Sequence, residues 1–226
     1  MVRLVIFSDP ICPWCYIGKA RLWRALEQRP NHRFVVEWHP FMLNPTMPRE
    51  GVDRRAYMEA KFGGRDGAAR AYAPVAAEAE RSGLTLNFEA MERTPSTLDA
   101  HRLIHWAGID GRQTAAVSAL FTAYWTQGRD IGAAEVLTEI AADIGMDAGL
   151  VARLLASDAD ADDIRARDAD ARTKGVSAVP TFVIAGRHVV PGAQPTELWL
   201  NVIDELAGAG AGEPDPASGA AEGPTC

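Results

Sequence analysis

Two of the three cysteines, Cys12 and Cys15, are separated by Pro13 and Trp14 and form a C-x-x-C motif. In proteins this spacing marks a redox pair that exchanges disulfides, half of a metal site, or an inert remnant of either. Structural zinc takes four ligands, whereas this sequence has no second C-x-x-C and its five histidines are scattered. We therefore interpret the motif as a redox pair and expect no metal, with the metal site and the inert remnant as alternatives.

The position of the motif favours a reactive thiolate at Cys12. Residues 3–8, RLVIFS, have the composition of a buried strand, and helical spacing of apolar residues begins after Pro13. Proline suits the first position of a helix, where a missing N–H costs nothing, so Cys12 is expected at the helix N-terminus. Unpaired amide groups and the helix dipole stabilise a thiolate there. Cys12 is thus the predicted attacking thiol, and Cys15, one turn further inside, the resolving thiol.

The rest of the chain predicts an α/β protein with a large helical block between its two halves. A second strand at 33–41 completes a βαβ unit, and two further strands within 180–192 precede a last helix at 196–207. Apolar spacing and glycine stops predict seven helices between them, near 51–62, 66–82, 96–107, 112–127, 133–144, 147–156 and 160–174. A block of roughly 120 residues is too long for a loop and should form its own subdomain. The Gly/Ala/Pro-rich segment 208–226 is expected to be disordered.

Charge and hydropathy limit the partners and the compartment. A net charge of −7 and a pI near 5.3 argue against general nucleic-acid binding. No apolar run reaches the ~18 residues of a membrane span, so no membrane partner is expected. The N-terminus enters a strand without the longer apolar region of a signal peptide, which predicts a cytoplasmic protein. In a reducing compartment a C-x-x-C is more often catalytic or metal-binding than a structural disulfide.

Four motifs, in this order along the chain, carry a resemblance to a known family: FSDPICPWCYIG, HPFMLNP, TLDAHRLIHWA and GVSAVPTFVIAGRHVVPGAQP. Together they resemble the FrnE-like branch of the DsbA family, which is related to the 2-hydroxychromene-2-carboxylate isomerases and the kappa-class glutathione transferases. The resemblance covers about residues 2–207 and implies a thioredoxin fold with a large inserted all-helical subdomain. It places a discontinuous thioredoxin-like domain at 1–43 and 175–207. The inserted domain is 44–174, and its last helix, 160–174, leads back to the thioredoxin-like domain.

The resemblance also implies a function and further site residues. The expected activity is that of a cytoplasmic thiol–disulfide oxidoreductase working through a mixed disulfide. Pro180, in the stretch AVPT, matches the cis-proline that faces the cysteine pair in thioredoxin-like proteins. The backbone of Val179 would then pair with an extended substrate. Pro13 and Trp14 are expected on the substrate-binding surface, and for Trp14 packing against the inserted domain is an equal alternative.

Three other residues have two interpretations each. Asp9 is either the proton acceptor for Cys15 or a turn residue before Pro10. Asn44, in MLNP, either lines the substrate groove or serves a turn. His101 either lines the groove, with the neighbouring Arg102, or makes an interdomain hydrogen bond while Arg102 stays in solvent. In the same helix Ser96 is the predicted N-cap, because Asp99 follows it by three residues.

The partners follow from the chemistry of the pair. We expect a thiol or disulfide substrate, a glutathione- or thioredoxin-type reductant, no tightly bound cofactor, and a monomer or homodimer. Cys226 is either an irrelevant exposed thiol or a second thiol that resolves the active site. One rival function is that of a glutathione-dependent isomerase or transferase, although relatives with that activity typically have serine at the position of Cys12. The other is that of a non-catalytic, chaperone-like binding module.

Overall fold

The structure, a computed structural model, describes residues 1–210. Its main sheet has four strands in the order β2-β1-β5-β6: β1 Val2–Ser8, β2 Phe34–Pro40, β5 Thr181–Ile184 and β6 His188–Pro191. The first strand runs parallel to β2 and antiparallel to β5, which in turn pairs antiparallel with β6. This is the thioredoxin fold that the motifs predict. Within residues 1–210 no helix is both long and apolar enough to cross a membrane.

Two helices from opposite ends of the chain pack together beside the sheet. They are α1, Pro13–Gln28, and α9, Thr196–Gly210. The interior between them and the sheet is apolar, and Phe182 of β5 meets the buried Trp199 of α9 edge-on. Burying such aromatic side chains is a main source of folding free energy. This packing fixes α1, and with it the two cysteines, against the centre of the sheet.

The segment between β2 and β5 is mainly helical, as predicted. Its helices are α2 Arg54–Phe62, α3 Arg65–Arg81, α4 Leu98–Ile109, α5 Gln113–Phe121, α6 Ala134–Asp143, α7 Ala148–Leu155 and α8 Ala161–Thr173. A π-helical turn, Thr122–Thr126, extends α5, and a 3-10 turn forms at Phe88–Ala90. The segment also holds a short strand pair that the sequence did not predict, β3 Val52–Asp53 with β4 Arg93–Thr94. The domain boundaries given above stay a prediction.

Polar contacts attach the helical segment to the sheet and to α1. Both backbone groups of Trp38 in β2 are hydrogen-bonded by the side-chain amide of Gln113, at 2.9 and 3.0 Å. On α1, Arg21 donates to Ser82 at 2.9 Å and forms an ion pair with Glu78 of α3. The helical segment is therefore bonded both to β2 and to the helix that carries the cysteines.

Three local expectations are wrong. Thr97, not Ser96, is the N-cap of α4, and its hydroxyl donates to Asp9 instead of capping the helix. Arg102 is buried rather than solvated, since its guanidinium satisfies the carbonyl oxygens of Leu154, Ser157 and Ala159. The last helix continues through residues 208–210, because alanine favours helix and each of the two glycines costs only about 1 kcal/mol. The remainder of the predicted tail, with Cys226, lies outside the described residues.

Candidate active site

Cys12 is the N-cap of α1, with the extended φ and ψ of −89° and 115° that an N-cap adopts. Its amide donates to the carbonyl oxygen of Asp9 at 2.9 Å, which closes the turn between β1 and the helix. Pro13 occupies the first helical position, as the sequence predicts, and the first turn holds no acidic side chain. The Cys12 sulfur thus stands at the positive end of the helix dipole with no carboxylate of that turn to oppose it.

The Cys12 thiol faces the loop before β5. It donates a hydrogen bond to the carbonyl oxygen of Val179 with a sulfur–oxygen distance of 3.5 Å, and the Val179–Pro180 peptide bond is cis. A glycine on α1 allows this approach, because a Cβ on Gly18 would lie 3.1 Å from Cγ of Pro180. The amide of Val179 makes no hydrogen bond within residues 1–210. The structure therefore brings the cysteine motif and the Val179–Pro180 bond together.

Both sulfurs are covered in this conformation. The exposed fraction is 3% for Cys12 and 1% for Cys15, and both thiols are free. Burial and the neighbouring Cys12 raise the pKa of the Cys15 thiol, against contacts with the Ser8 hydroxyl and the Asp9 amide that lower it. Cys15 therefore rests as a neutral thiol at neutral pH and must lose a proton before it can attack.

Asp9 is fully buried next to the motif. Its carboxylate accepts hydrogen bonds from the amides of Ile11 at 3.2 Å and Leu43 at 2.7 Å, and from the Thr97 hydroxyl at 3.4 Å. Burial nevertheless raises the pKa of Asp9 to about 7. The hydrogen bonds from the Ile11 and Leu43 amides are the contacts expected if Asp9 is a turn residue. The contact between Asp9 and Cys15 is made by the Asp9 backbone amide.

His101 of α4 lies on the other side of Asp9. Its Nε2 is 3.9 Å from Oδ1 of Asp9 and, within the described chain, is a buried nitrogen without a hydrogen-bond partner. Burial lowers the pKa of His101 to about 4, so the ring is neutral at neutral pH and the two side chains form no ion pair. A cavity of about 10 Å³ borders His101, His39 and Ser8, and this volume is at the lower limit for one water molecule.

Comparison with known proteins places the chain in a family. The family described as DSBA-like thioredoxin domain matches residues 3–204. The chain belongs to the DSBA-like thioredoxin domain family.

Three proteins illustrate how the DSBA-like family relates to this chain. The probable DsbA oxidoreductase SCO1869 from Streptomyces coelicolor is 32% identical, with a TM-score of 0.81 over 92% of this chain and 91% of that one. The uncharacterized protein YwbO of Bacillus subtilis (strain 168) is 27% identical over 90% of this chain and 96% of its own length. The cytosolic disulfide reductase DsbM from Pseudomonas aeruginosa, in a structure with GSH, is 21% identical, with a TM-score of 0.65 over 91% and 98% of the two chains. This last likeness shows the fold alone.

Two predicted substrate-binding residues of this DSBA-like chain, Trp14 and Asn44, are at least partly exposed to solvent. Trp14 is 36% exposed between the two cysteines, so its side chain is accessible from solvent. Asn44 is half-buried, and its side-chain oxygen accepts from the hydroxyl of Tyr57 at 2.7 Å while its carbonyl oxygen closes a turn with Met47. The turn interpretation accounts for the Asn44 contacts, and a role in substrate binding stays a prediction.

Sequence reasoning missed two polar residues of the site. Ser8 ends β1 and its hydroxyl contacts the Cys15 thiol, while Thr97 donates to the Asp9 carboxylate. The sequence could have predicted the place of Ser8, because it ends a buried strand just before the cysteine motif. Thr97 offered no such signal, since 88 residues separate it from Asp9. Only the folded chain joins them.

Proposed function

We propose that the protein is a cytoplasmic thiol–disulfide oxidoreductase whose redox centre is the CPWC pair, Cys12 and Cys15. One observation carries the proposal: both thiols stand at the N-terminus of α1, with the Cys12 sulfur 3.5 Å from the Val179 carbonyl oxygen. A helix N-terminus stabilises the thiolate that disulfide exchange requires. Family membership supports thiol–disulfide chemistry in general, and the motif supplies the two thiols that it needs.

The exchange runs in two displacements. The Cys12 thiolate attacks one sulfur of a substrate disulfide, forms a mixed disulfide with it and releases the other sulfur as a thiolate. Cys15 then loses its proton and attacks the Cys12 sulfur, which releases the second substrate thiolate and leaves the Cys12–Cys15 disulfide. Two electrons pass from the cysteine pair to the substrate. The same steps in reverse oxidise a dithiol substrate.

The proton of Cys15 needs an acceptor because the thiol is buried. The Ser8 hydroxyl touches this thiol and borders the small cavity that His101 also borders. His101 in turn lies 3.9 Å from Asp9, whose pKa of about 7 makes it a proton acceptor at neutral pH. We assign Asp9, to which His101 connects the cavity through its 3.9 Å approach, as the acceptor, in addition to its turn contacts.

A thiol reductant of the glutathione or thioredoxin type restores the dithiol by two exchanges with the Cys12–Cys15 disulfide. The presence of Cys12 counts against the isomerase alternative, in which glutathione supplies the reacting sulfur to an enzyme that has serine there. The Val179 amide, which has no partner in the described chain, is available for the backbone of a bound substrate.

The test is a redox titration in glutathione buffers, with the Cys12–Cys15 disulfide followed by alkylation and mass. We expect a single two-electron transition in the Cys226→Ser protein, and disulfide reductase activity that is lost in Cys12→Ser. A protein that never forms the disulfide, or that reduces disulfides equally well as Cys12→Ser, would refute the proposal. Suppression of aggregation that persists in the double variant Cys12→Ser/Cys15→Ser would support the binding-module alternative instead.

A further inference from the structure

A groove of about 680 Å³ lies on the face of the main sheet that points away from α1. Successive residues of a strand point to opposite faces of a sheet. Leu4 and Ile6 of β1 belong to the buried core that α1 shares, whereas Val5, between them, lines the groove together with Phe7. Helix α8 lies against β2 and forms one wall. On the opposite side the groove is open to solvent, since Val189 of β6 is 63% exposed.

Most of the side chains that line this groove are apolar. Its volume is in the range of small-molecule sites, which combine an apolar lining with a few polar groups. Covering an exposed apolar side chain such as Val189 is favourable in proportion to the area removed from water. The apolar lining residues are Val5, Phe7, Val176, Ala178, Val183, Val189 and Pro191. The groove therefore favours a ligand with an apolar body.

Cations outnumber carboxylates in the lining of the groove. Arg3 of β1, Arg167 of α8 and Lys174, at the end of α8, line it, and Asp170 is the one acidic residue among the lining residues. His39 also lines it, but burial and the nearby charges of Arg3 and Arg167 lower its pKa, so its ring adds no charge at neutral pH. The lining therefore carries a net positive charge.

The two arginines of the lining make ion pairs with carboxylates that stand outside it. Arg3 pairs with Glu37 at 2.5 Å and Arg167 with Asp163 at 2.8 Å, and neither acid lines the groove. All four side chains are more than a third exposed, and such ion pairs hold their partners only weakly. A guanidinium has five N–H donors, so each arginine can also donate to an anion in the groove.

One wall of the groove is the segment 175–178, which leads into the cis Val179–Pro180 bond. The amides of Ser177 and Ala178 make no hydrogen bond within residues 1–210, and consecutive unbonded amides are donors for an anion. Ala178 precedes Val179, whose carbonyl oxygen accepts from the Cys12 thiol. A ligand in the groove thus lies beside the loop that faces Cys12, while the cysteines themselves are not part of the lining.

We propose that this groove binds a small amphiphilic anion, of the chemistry of a medium-chain carboxylate, at a site separate from the thiols. The apolar body of the ligand covers Val183 and Val189, and its carboxylate pairs with the cations of α8, Arg167 and Lys174. The positive lining selects an anion, and the apolar lining selects a ligand that has more than a charged group. The inference does not depend on the redox function, because no cysteine takes part in it.

The experiment titrates the full chain with octanoate and follows the backbone amide signals by NMR. We expect saturable shifts at Ala178, Thr181, Val183 and Val189. Hexanoate should bind at least about fivefold more weakly, because each buried methylene tightens binding by about fourfold. Octylammonium, with the same chain and the opposite charge, should bind at least about threefold more weakly than octanoate. The net charge of −7 favours cations over the whole surface, so this preference reports the groove itself.

Two pairs of variants test the two parts of the site. Arg167→Gln/Lys174→Gln should remove the preference for octanoate over octylammonium. Arg165→Gln, on the same helix but outside the groove lining, should keep it. Val189→Glu places an acid on the apolar side of the groove and should weaken octanoate binding at least about fivefold. Its control is Ile109→Glu, at a residue 74% exposed outside the lining, which should leave the affinity unchanged.

Four results would overturn the inference. They are no saturable binding, amide shifts that map away from the groove, equal affinity for octanoate and octylammonium, and an Arg165→Gln variant that loses the preference as the double variant does. A second copy of the chain is the other possible occupant of this face. A dimer in sedimentation of the ligand-free protein that Val189→Glu dissociates would assign the face to that copy. If a variant does not fold, the chain-length and charge series in the unaltered protein still decides.

Discussion

The side chain of His101 lies beside that of Asp9 in the protein interior, with Nε2 at 3.9 Å from Oδ1. A histidine and an aspartate can form an ion pair, but these two side chains do not carry opposite charges. Burial lowers the pKa of His101 to about 4 and raises that of Asp9 to about 7, so between these values both groups are neutral. Asp168, which accepts from the Met42 amide at 2.7 Å, raises the pKa of both slightly. The pH dependence of stability follows from these two opposite shifts.

Replacing Asp9 with asparagine should stabilise the protein above neutral pH. The Asp9 pKa is higher in the folded state than its usual 3.8. The stability that the protonated Asp9 contributes is therefore fully present below pH 3.8 and is lost as the pH rises through about 7. The full loss is about 4 kcal/mol, and Asp9→Asn avoids it at a cost of about 1 kcal/mol for the bond to Leu43. Urea unfolding of both proteins between pH 4 and 8 measures the difference.

The same variant separates the two roles of Asp9. An amide cannot accept the proton of Cys15, so Asp9→Asn should be more stable yet slower in the second displacement near pH 7. A free energy of unfolding that differs from that of the Asp9 protein by a constant amount at every pH would show that Asp9 titrates normally.

Replacing His101 with leucine should protect the protein against acid. The His101 pKa is lower in the folded state than its usual 6.5, so stability is full above that value and falls as the pH drops toward about 4. At low pH the loss of folding stability reaches about 3 kcal/mol. The His101→Leu protein avoids this loss because leucine does not bind a proton. His105→Gln, on the same helix, serves as the control, because His105 is only half-buried. If the two variants respond alike to acid, His101 is not the group that titrates.

Adding one methyl group at Gly18 should disturb the Val179–Pro180 loop. Alanine is favoured over glycine in a helix by up to about 1 kcal/mol, but here its Cβ would come within 3.1 Å of Pro180. Gly208→Ala is the matched control, since no atom lies within 4 Å of a Cβ there. We expect Gly208→Ala to be neutral or stabilising, and Gly18→Ala to be less stable than it and altered in the rate of Cys12 alkylation. Equal behaviour of the two variants would mean that the loop accommodates the methyl group freely.

Local sequence signals predicted the elements that present the cysteines. Pro13 after Cys12 fixed the start of α1, because proline suits only that end of a helix. Apolar spacing located the seven helices between β2 and β5 to within a few residues. Resemblance, rather than spacing, selected Val179 and Pro180, which lie far from the cysteines in sequence.

The rest of the site depends on contacts between distant residues. Serine and threonine are both common N-cap residues, so residue type did not decide between Ser96 and Thr97; in the structure Thr97 is the N-cap, and its hydroxyl donates to Asp9. An arginine is usually in solvent, so nothing local indicated that Arg102 is buried among three carbonyl oxygens of the α7–α8 connection.

In the proposed mechanism Cys12 attacks and Cys15 resolves. The direct measurement uses the variant Cys15→Ser/Cys226→Ser, incubated in the reduced state with a disulfide and analysed by intact mass and peptide mapping. We expect one stable adduct per chain, on Cys12, that dithiothreitol removes. The Cys12→Ser/Cys226→Ser protein should carry far less adduct, because the raised pKa of Cys15 keeps its thiol protonated. Absence of the adduct on Cys12, or equal trapping on Cys15, would contradict the assignment.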